Sequence, residues 1–257
     1  MENIKILVIC HKKAPLPKED IYCPIEVGSS SRVEHFLPLR DDLSEDNISD
    51  RNPSYCELTG LYYAYKNLDY DVLGLVHYRR YFMRSSFCLR KNMDNVLDRK
   101  TLEKLLSKYD IILPKKRHYW IESNYSHYVH AHKKEALDKA IEIIKRDYPE
   151  YYPALMKHMK RTCGHYFNMF IAKKEIIDGY LSFLFDVLFK LEKEIDVQDY
   201  QGYDQRVFGF IGERLLDVYV QTKKLKFHEQ HYLFMEKQNW PKKIWAMLKR
   251  HLGKPKE

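Results

Sequence analysis

The stretch Asp71-Val-Leu-Gly-Leu-Val-His-Tyr-Arg-Arg-Tyr-Phe82 joins an apolar run to a cluster of groups able to hold an anion. Val72, Leu73, Leu75 and Val76 suit a strand buried on both faces of a mixed or parallel sheet. His77, Tyr78, Arg79 and Arg80 follow without a break, so an imidazole, a phenol and two guanidiniums arrive at a strand exit, where α/β folds hold ligands. If the chain stays extended to Arg80, His77 and Arg79 share one face and Tyr78 and Arg80 the other, one pair toward a ligand and one bracing it. The plainer reading has both arginines bridging surface carboxylates.

Other residues offer chemistry less directly. His127, His130 and His132, with His118 nearby, lack the spacing of a helical zinc pair and have no accompanying carboxylate signature. No metal site is expected from them; His127 and His130 are expected to hydrogen-bond substrate or to be structural. Asp69-Tyr-Asp71 has the DxD pattern of metal-dependent sugar transferases but precedes the strand, which suits a helix-to-strand turn. Asn168, with His165 and Tyr166, places polar tips in the apolar segment Tyr166–Ala172, where a sugar hydroxyl or a backbone group could satisfy the amide. Asp204 falls in the same helical sector as Phe208, Ile211 and Leu215, so it faces inward as a general base or an N-cap. Glu213 lies nearly opposite, toward solvent or a second element.

The elements that must position these groups read as an α/β sheet. Ile4–Cys10 is the first strand, with His11 opening the loop at its exit. Glu26-Val-Gly-Ser-Ser-Ser-Arg32 is small enough for close approach to a ligand, but lacks dinucleotide and P-loop spacing. Residues 54–68 form a helix with Ser54 and Glu57 at capping-box spacing. Further helices are expected at 100–108, 133–147, 174–195 and 204–220, and strands at 109–114 and within 162–172. The domain is expected to span 1–220. The remainder, 221–257, is a basic tail in which 241–252 forms an amphipathic helix for an anionic membrane or a protein surface.

Composition narrows the class. A chain of 257 residues, 45% of them apolar, can bury a substantial core, and a net charge of +8 favours an anionic partner. No signal peptide opens the sequence, and Asp178, Asp186 and Lys190 interrupt the most apolar helix, so a cytoplasmic protein is expected. Five cysteines without CxxC spacing fit a reducing compartment. Nucleic-acid binding is the rival suggested by charge and aromatics, but no recognition motif is present and the basic residues are dispersed, so no nucleic-acid partner is expected.

Taken in order, Tyr55-Cys-Glu-Leu-Thr59, Tyr65-Lys-Asn67, Gly74–Phe82, Tyr109–Pro114, Cys163–Asn168 and Gln205–Leu215 resemble a bacterial family from capsule, exopolysaccharide and O-antigen gene clusters, long catalogued as a domain of unknown function and grouped with β-galactofuranosyltransferases. The resemblance implies a GT-A-like, Rossmann-type mixed sheet flanked by helices, with a helical C-terminal extension, and inverting transfer from UDP-galactofuranose. It implies a donor site of His77, Tyr78, Arg79 and Arg80 with His11, no cofactor or metal, sugar or acceptor contacts from Asn168, His165, His127 and His130, and Asp204 as base. The implied acceptor is a glycan on polyprenyl diphosphate, reached at the inner face of the plasma membrane. A sugar-nucleotide-binding scaffold without catalysis is the other alternative.

Overall fold

The computed structural model describes residues 2–85 and 92–236. A mixed eight-stranded sheet is organised around β3 (Val72–His77). Along one edge β3 pairs in parallel with β1 (Ile4–Cys10), which pairs in parallel with β2 (Tyr22–Glu26). On the other edge, β8 (Phe170–Lys173) runs antiparallel to Val72–Leu75. Beyond β8 lie β5 (Ile111–Pro114) and then β9 (Phe227–Gln230). The last residue of β3 instead faces β4 (Arg80–Phe82), which pairs with β10 (Tyr232–Phe234). Gly74 permits the close approach of β8, since a Cβ there would lie 2.8 Å from Ile171 Cγ1 and 3.1 Å from the Phe170 carbonyl.

Strand alternation divides the core in two. Leu73 and Leu75 face α2 (Leu58–Asn67), α5 (Lys134–Asp147), α7 (Lys174–Glu194) and α8 (Val207–Thr222), whereas Val72 and Val76 face α3 (Arg99–Leu106). His77 continues the face of Leu73 and Leu75. Three short helices, α1 (Asn52–Tyr55), α4 (Asn124–Ala131) and α6 (Tyr152–Lys160), and a small ribbon of β6 (Arg117–His118) and β7 (Cys163–Gly164) complete the described elements.

The expected mixed sheet with flanking helices is present, and three local expectations are corrected. The helix expected over 54–68 breaks at Cys56, whose φ of 54° is left-handed. The capping box therefore does not form: Ser54 Oγ donates to the Arg51 carbonyl, and Glu57 is turned elsewhere. Residues 227–234 supply two strands of the main sheet, so the fold continues past the boundary expected at 220, and beyond Thr222 the described part of the C-terminal extension is not helical. The expected helix at 241–252 lies outside the described residues. Among the described residues, no helix is long and apolar enough to cross a membrane.

Candidate active site

The strand that carries His77 ends there. Tyr78 and Arg79 form a two-residue turn and Arg80 returns as β4, directly opposite His77. Opposed residues of an antiparallel pair share a face, so the hairpin groups His77 with Arg80, not with Arg79 as continued extension would have it. His77 Nε2 lies 2.7 Å from the Phe167 carbonyl, and since a carbonyl only accepts, this nitrogen carries the ring proton. Burial, with the nearby guanidiniums of Arg80 and Arg79, lowers the His77 pKa to about 4 despite the opposing charge of Glu57. The ring, with its N–H given to the Phe167 carbonyl, braces the hairpin against that turn. Arg80 is also a brace: its guanidinium carbon lies 4.2 Å from the centre of the Phe167 ring and 5.2 Å from that of Phe234.

The turn at Phe167 and Asn168 interrupts the strand expected from Tyr166 to Ala172. Both residues are left-handed, with φ of 75° and 53°, a conformation that costs a bulky residue on the order of 1–3 kcal/mol. The distortion lets two residues grip three elements. The Phe167 carbonyl accepts from His77 at the end of β3, and its N–H donates to Glu213 Oε1 of α8 at 3.0 Å. Asn168 Nδ2 donates to Glu57 Oε1 at 2.7 Å and to the Gly209 carbonyl at 3.2 Å.

Two carboxylates thus converge beneath the hairpin. Burial, and then the charge of Glu57, raise the Glu213 pKa to about 7; the charges of Arg214 and Arg80 and the Phe167 amide offset part of that rise. A partly exposed carboxyl that titrates near neutrality suits proton transfer from a hydroxyl. Glu213, expected on an outward sector, was missed because helical geometry gives the sector and not what packs over it. Glu57 was hidden by its capping-box spacing.

Cations gather on the outer side of the hairpin. The His11 pKa is lowered, first by burial and then by the charges of Arg79, Lys12, Arg32 and Arg206. Arg32 Nη2 donates to the His11 carbonyl at 2.8 Å, and the His11 ring meets Tyr78 edge-on, with centroids 5.0 Å apart. Arg79 Nη1 and Lys12 Nζ lie 3.5 and 3.4 Å from the two carboxylate oxygens of Glu236. Arg206 Nε donates to Cys56 Sγ at 3.1 Å, which ties this group to the kink before Glu57. Such an arrangement can neutralise a diphosphate.

The remaining expected residues lie in other networks. Asp204, in a one-turn 3₁₀ helix before α8, is 3.2 Å from His132 Nδ1. His127 Nδ1 and His130 Nδ1 lie 2.8 and 2.7 Å from the two oxygens of Glu122. His165 is buried, with Nδ1 at 2.5 Å from Asp217 Oδ1 and Nε2 at 3.3 Å from Glu229, so it ties α8 to β9 and does not present itself to a sugar. His132, the pair His127 and His130, and His165 therefore sit in three separate carboxylate networks. Asp69 and Asp71 form the turn before β3, where the Asn3 amide donates to Asp71 Oδ2 at 2.7 Å. That turn is at the opposite end of the strand from His77. The Gly28–Ser29 loop is also structural: Asp41 accepts from both amides, at 2.9 and 3.1 Å, and from the hydroxyls of Ser49 and Thr59.

Residues 5–224 match the family described as Domain of unknown function (DUF4422). The chain belongs to this family. A search of curated proteins finds no match. A solved structure, the bifunctional glycosyltransferase WbbM in its apo form, superposes with a TM-score of 0.84 at 30% identity. The match covers 91% of this chain and 46% of WbbM, so the chain spans about half the length of that protein.

Proposed function

We propose that this DUF4422 protein is an inverting glycosyltransferase that moves galactofuranose from UDP-galactofuranose to a glycan acceptor. The observation that carries the reading is the Glu213 carboxyl, poised near neutrality beside a cationic hairpin at a sheet edge. The likeness to a glycosyltransferase supports the reaction class. The galactofuranose donor rests on the sequence resemblance.

Arg79, with Lys12, Arg32, Arg206 and the His11 region, takes the donor diphosphate, without a required metal. Arg80 and His77 hold the hairpin and the Phe167 turn in place. Glu213 removes the proton from the acceptor hydroxyl as its oxygen attacks the anomeric carbon from the side opposite UDP. The bond to the diphosphate breaks, its electron pair leaves with UDP, and the cations stabilise the charge that develops. Glu213 replaces Asp204 as the base because Asp204 is paired with His132. The acceptor is a polyprenyl-diphosphate-linked glycan at the cytoplasmic membrane face, with the 241–252 segment holding the enzyme at anionic lipid.

Transfer from UDP-galactofuranose to a galactose oligosaccharide, followed by mass spectrometry and by anomeric coupling in NMR, tests this reading. A β-linked galactofuranose added by wild type and not by Glu213→Gln is the expected result. Transfer from UDP-galactopyranose alone would overturn the donor assignment, and a fully active Glu213→Gln would overturn the base.

A further inference from the structure

The segment between β6 and α4 exposes a large apolar side chain at a strained position. The Ile121 N–H donates to the Tyr119 carbonyl at 2.7 Å, closing a three-residue γ-turn with Trp120 at its centre. The Trp120 φ is +60°, the rarer and more strained form of this turn. The indole is nonetheless 78% exposed, and Ile121 beside it is 54% exposed. Core packing does not account for an outward tryptophan at a backbone position that favours glycine.

Buried anchors hold the turn on both sides. Tyr119, 5% exposed, stacks on His127 with ring centroids 3.6 Å apart, and its amide donates to the Thr162 carbonyl at 2.7 Å. Glu122, 3% exposed, receives His127 and His130. The pair of imidazoles expected to touch substrate therefore fixes the base of the loop. Tyr119 is also the link to the site: its ring lies 5.2 Å from that of Tyr166, and the next residue, Phe167, donates its N–H to Glu213 Oε1 at 3.0 Å. Trp120 is thus one residue from a ring that packs beside the turn holding the candidate base.

We infer that Trp120 is an acceptor subsite, an aromatic platform on which the apolar face of an acceptor sugar stacks. The inference rests on the glycosyltransferase reading. A flat indole offers a sugar ring C–H contacts and apolar area, and the His118 ring, 5.6 Å away and inclined by 35°, extends that surface with a polar edge. Arg117, its guanidinium 5.5 Å from the Tyr119 ring, adds hydrogen-bond donors on the same rim. This mixture of one large ring with polar edges fits a saccharide better than a lipid interior, and the packing of Tyr119 on Tyr166, beside the turn that holds Glu213, assigns it to the acceptor.

The test is calorimetric titration of a soluble galactose oligosaccharide into the full chain saturated with UDP, for wild type, Trp120→Phe and Trp120→Gly. Glycine is at ease at φ +60°, so Trp120→Gly removes the ring without a folding penalty. An oligosaccharide Kd raised about threefold to tenfold in Trp120→Gly, the range expected for loss of one aromatic contact, supports the platform. Trp120→Phe recovers much of that loss, and the UDP Kd is unchanged in both variants. Equal oligosaccharide binding by wild type and Trp120→Gly overturns the inference, as does no oligosaccharide binding by a wild type that binds UDP. Sedimentation with phosphatidylglycerol vesicles, lost in Trp120→Gly while oligosaccharide binding is kept, would make the loop a membrane contact and also overturn it. Failure of wild type to bind UDP would instead strike the proposed function.

Discussion

Asn168 reaches across 111 positions of sequence to hold Glu57, its Nδ2 donating to Glu57 Oε1 at 2.7 Å. The bond joins the turn before β8 to the kink before α2. After burial, the charge of Glu57 is the next cause of the raised Glu213 pKa, so the orientation of one carboxylate bears on the proton affinity of the other.

Asn168→Ala leaves the buried Glu57 carboxylate without this donor. A stability loss of about 1–3 kcal/mol is expected from the lost partner. Transfer should fall by up to ~10²-fold as the site loses alignment. Denaturant unfolding and initial rates measure the two effects, and Asn168→Asp, which sets a second carboxylate against Glu57, should be worse than alanine in both.

Glu213 predicts two pH dependences. For activity, kcat/KM should rise with pH through an apparent pKa near 7, since only the ionised carboxyl accepts a proton. Glu213→Gln should lower the rate by about 10²–10⁴-fold and remove that limb. Asp204→Asn should keep it. For stability, the folded-state pKa near 7 exceeds the ordinary carboxyl value of 4.5, so the folded chain binds more protons between these values. The contribution of Glu213 to stability is therefore fully present below pH 4.5 and declines as pH rises to about 7. Thermal melts of Glu213→Gln should lack this decline, which makes the variant the more stable protein above neutrality.

The segment 241–257 predicts a separable membrane contact. A chain ending at residue 240 retains β10, and so the described sheet. It should bind UDP as the full chain does but lose sedimentation with phosphatidylglycerol vesicles, since six Lys and Arg residues leave with residues 241–257.

Sequence patterning revealed the sheet through its apolar runs: Ile4–Cys10, Val72–Val76 and Ile111–Pro114 are buried strands in which Lys5 alone is charged. It also marked the His77–Arg80 stretch and Asn168. The hairpin was not legible, because a Tyr-Arg turn lacks the usual Asn-Gly or Gly signal. Nor were the left-handed Cys56, Phe167 and Asn168, whose conformations are imposed by partners far along the chain. Those turns redirect Glu57 and bring its charge to bear on Glu213. β9 and β10 were obscured by charged and polar residues, His228, Glu229, Gln230 and His231, which a short edge strand tolerates.

The arginine-held diphosphate is tested most directly by calorimetric titration of UDP, with and without EDTA, into wild type and Arg79→Ala. Binding that survives EDTA and weakens at least about tenfold in Arg79→Ala is predicted, in line with the loss of a charge-assisted contact. Binding that needs added Mn²⁺ or Mg²⁺, or that is untouched by Arg79→Ala, would contradict the account.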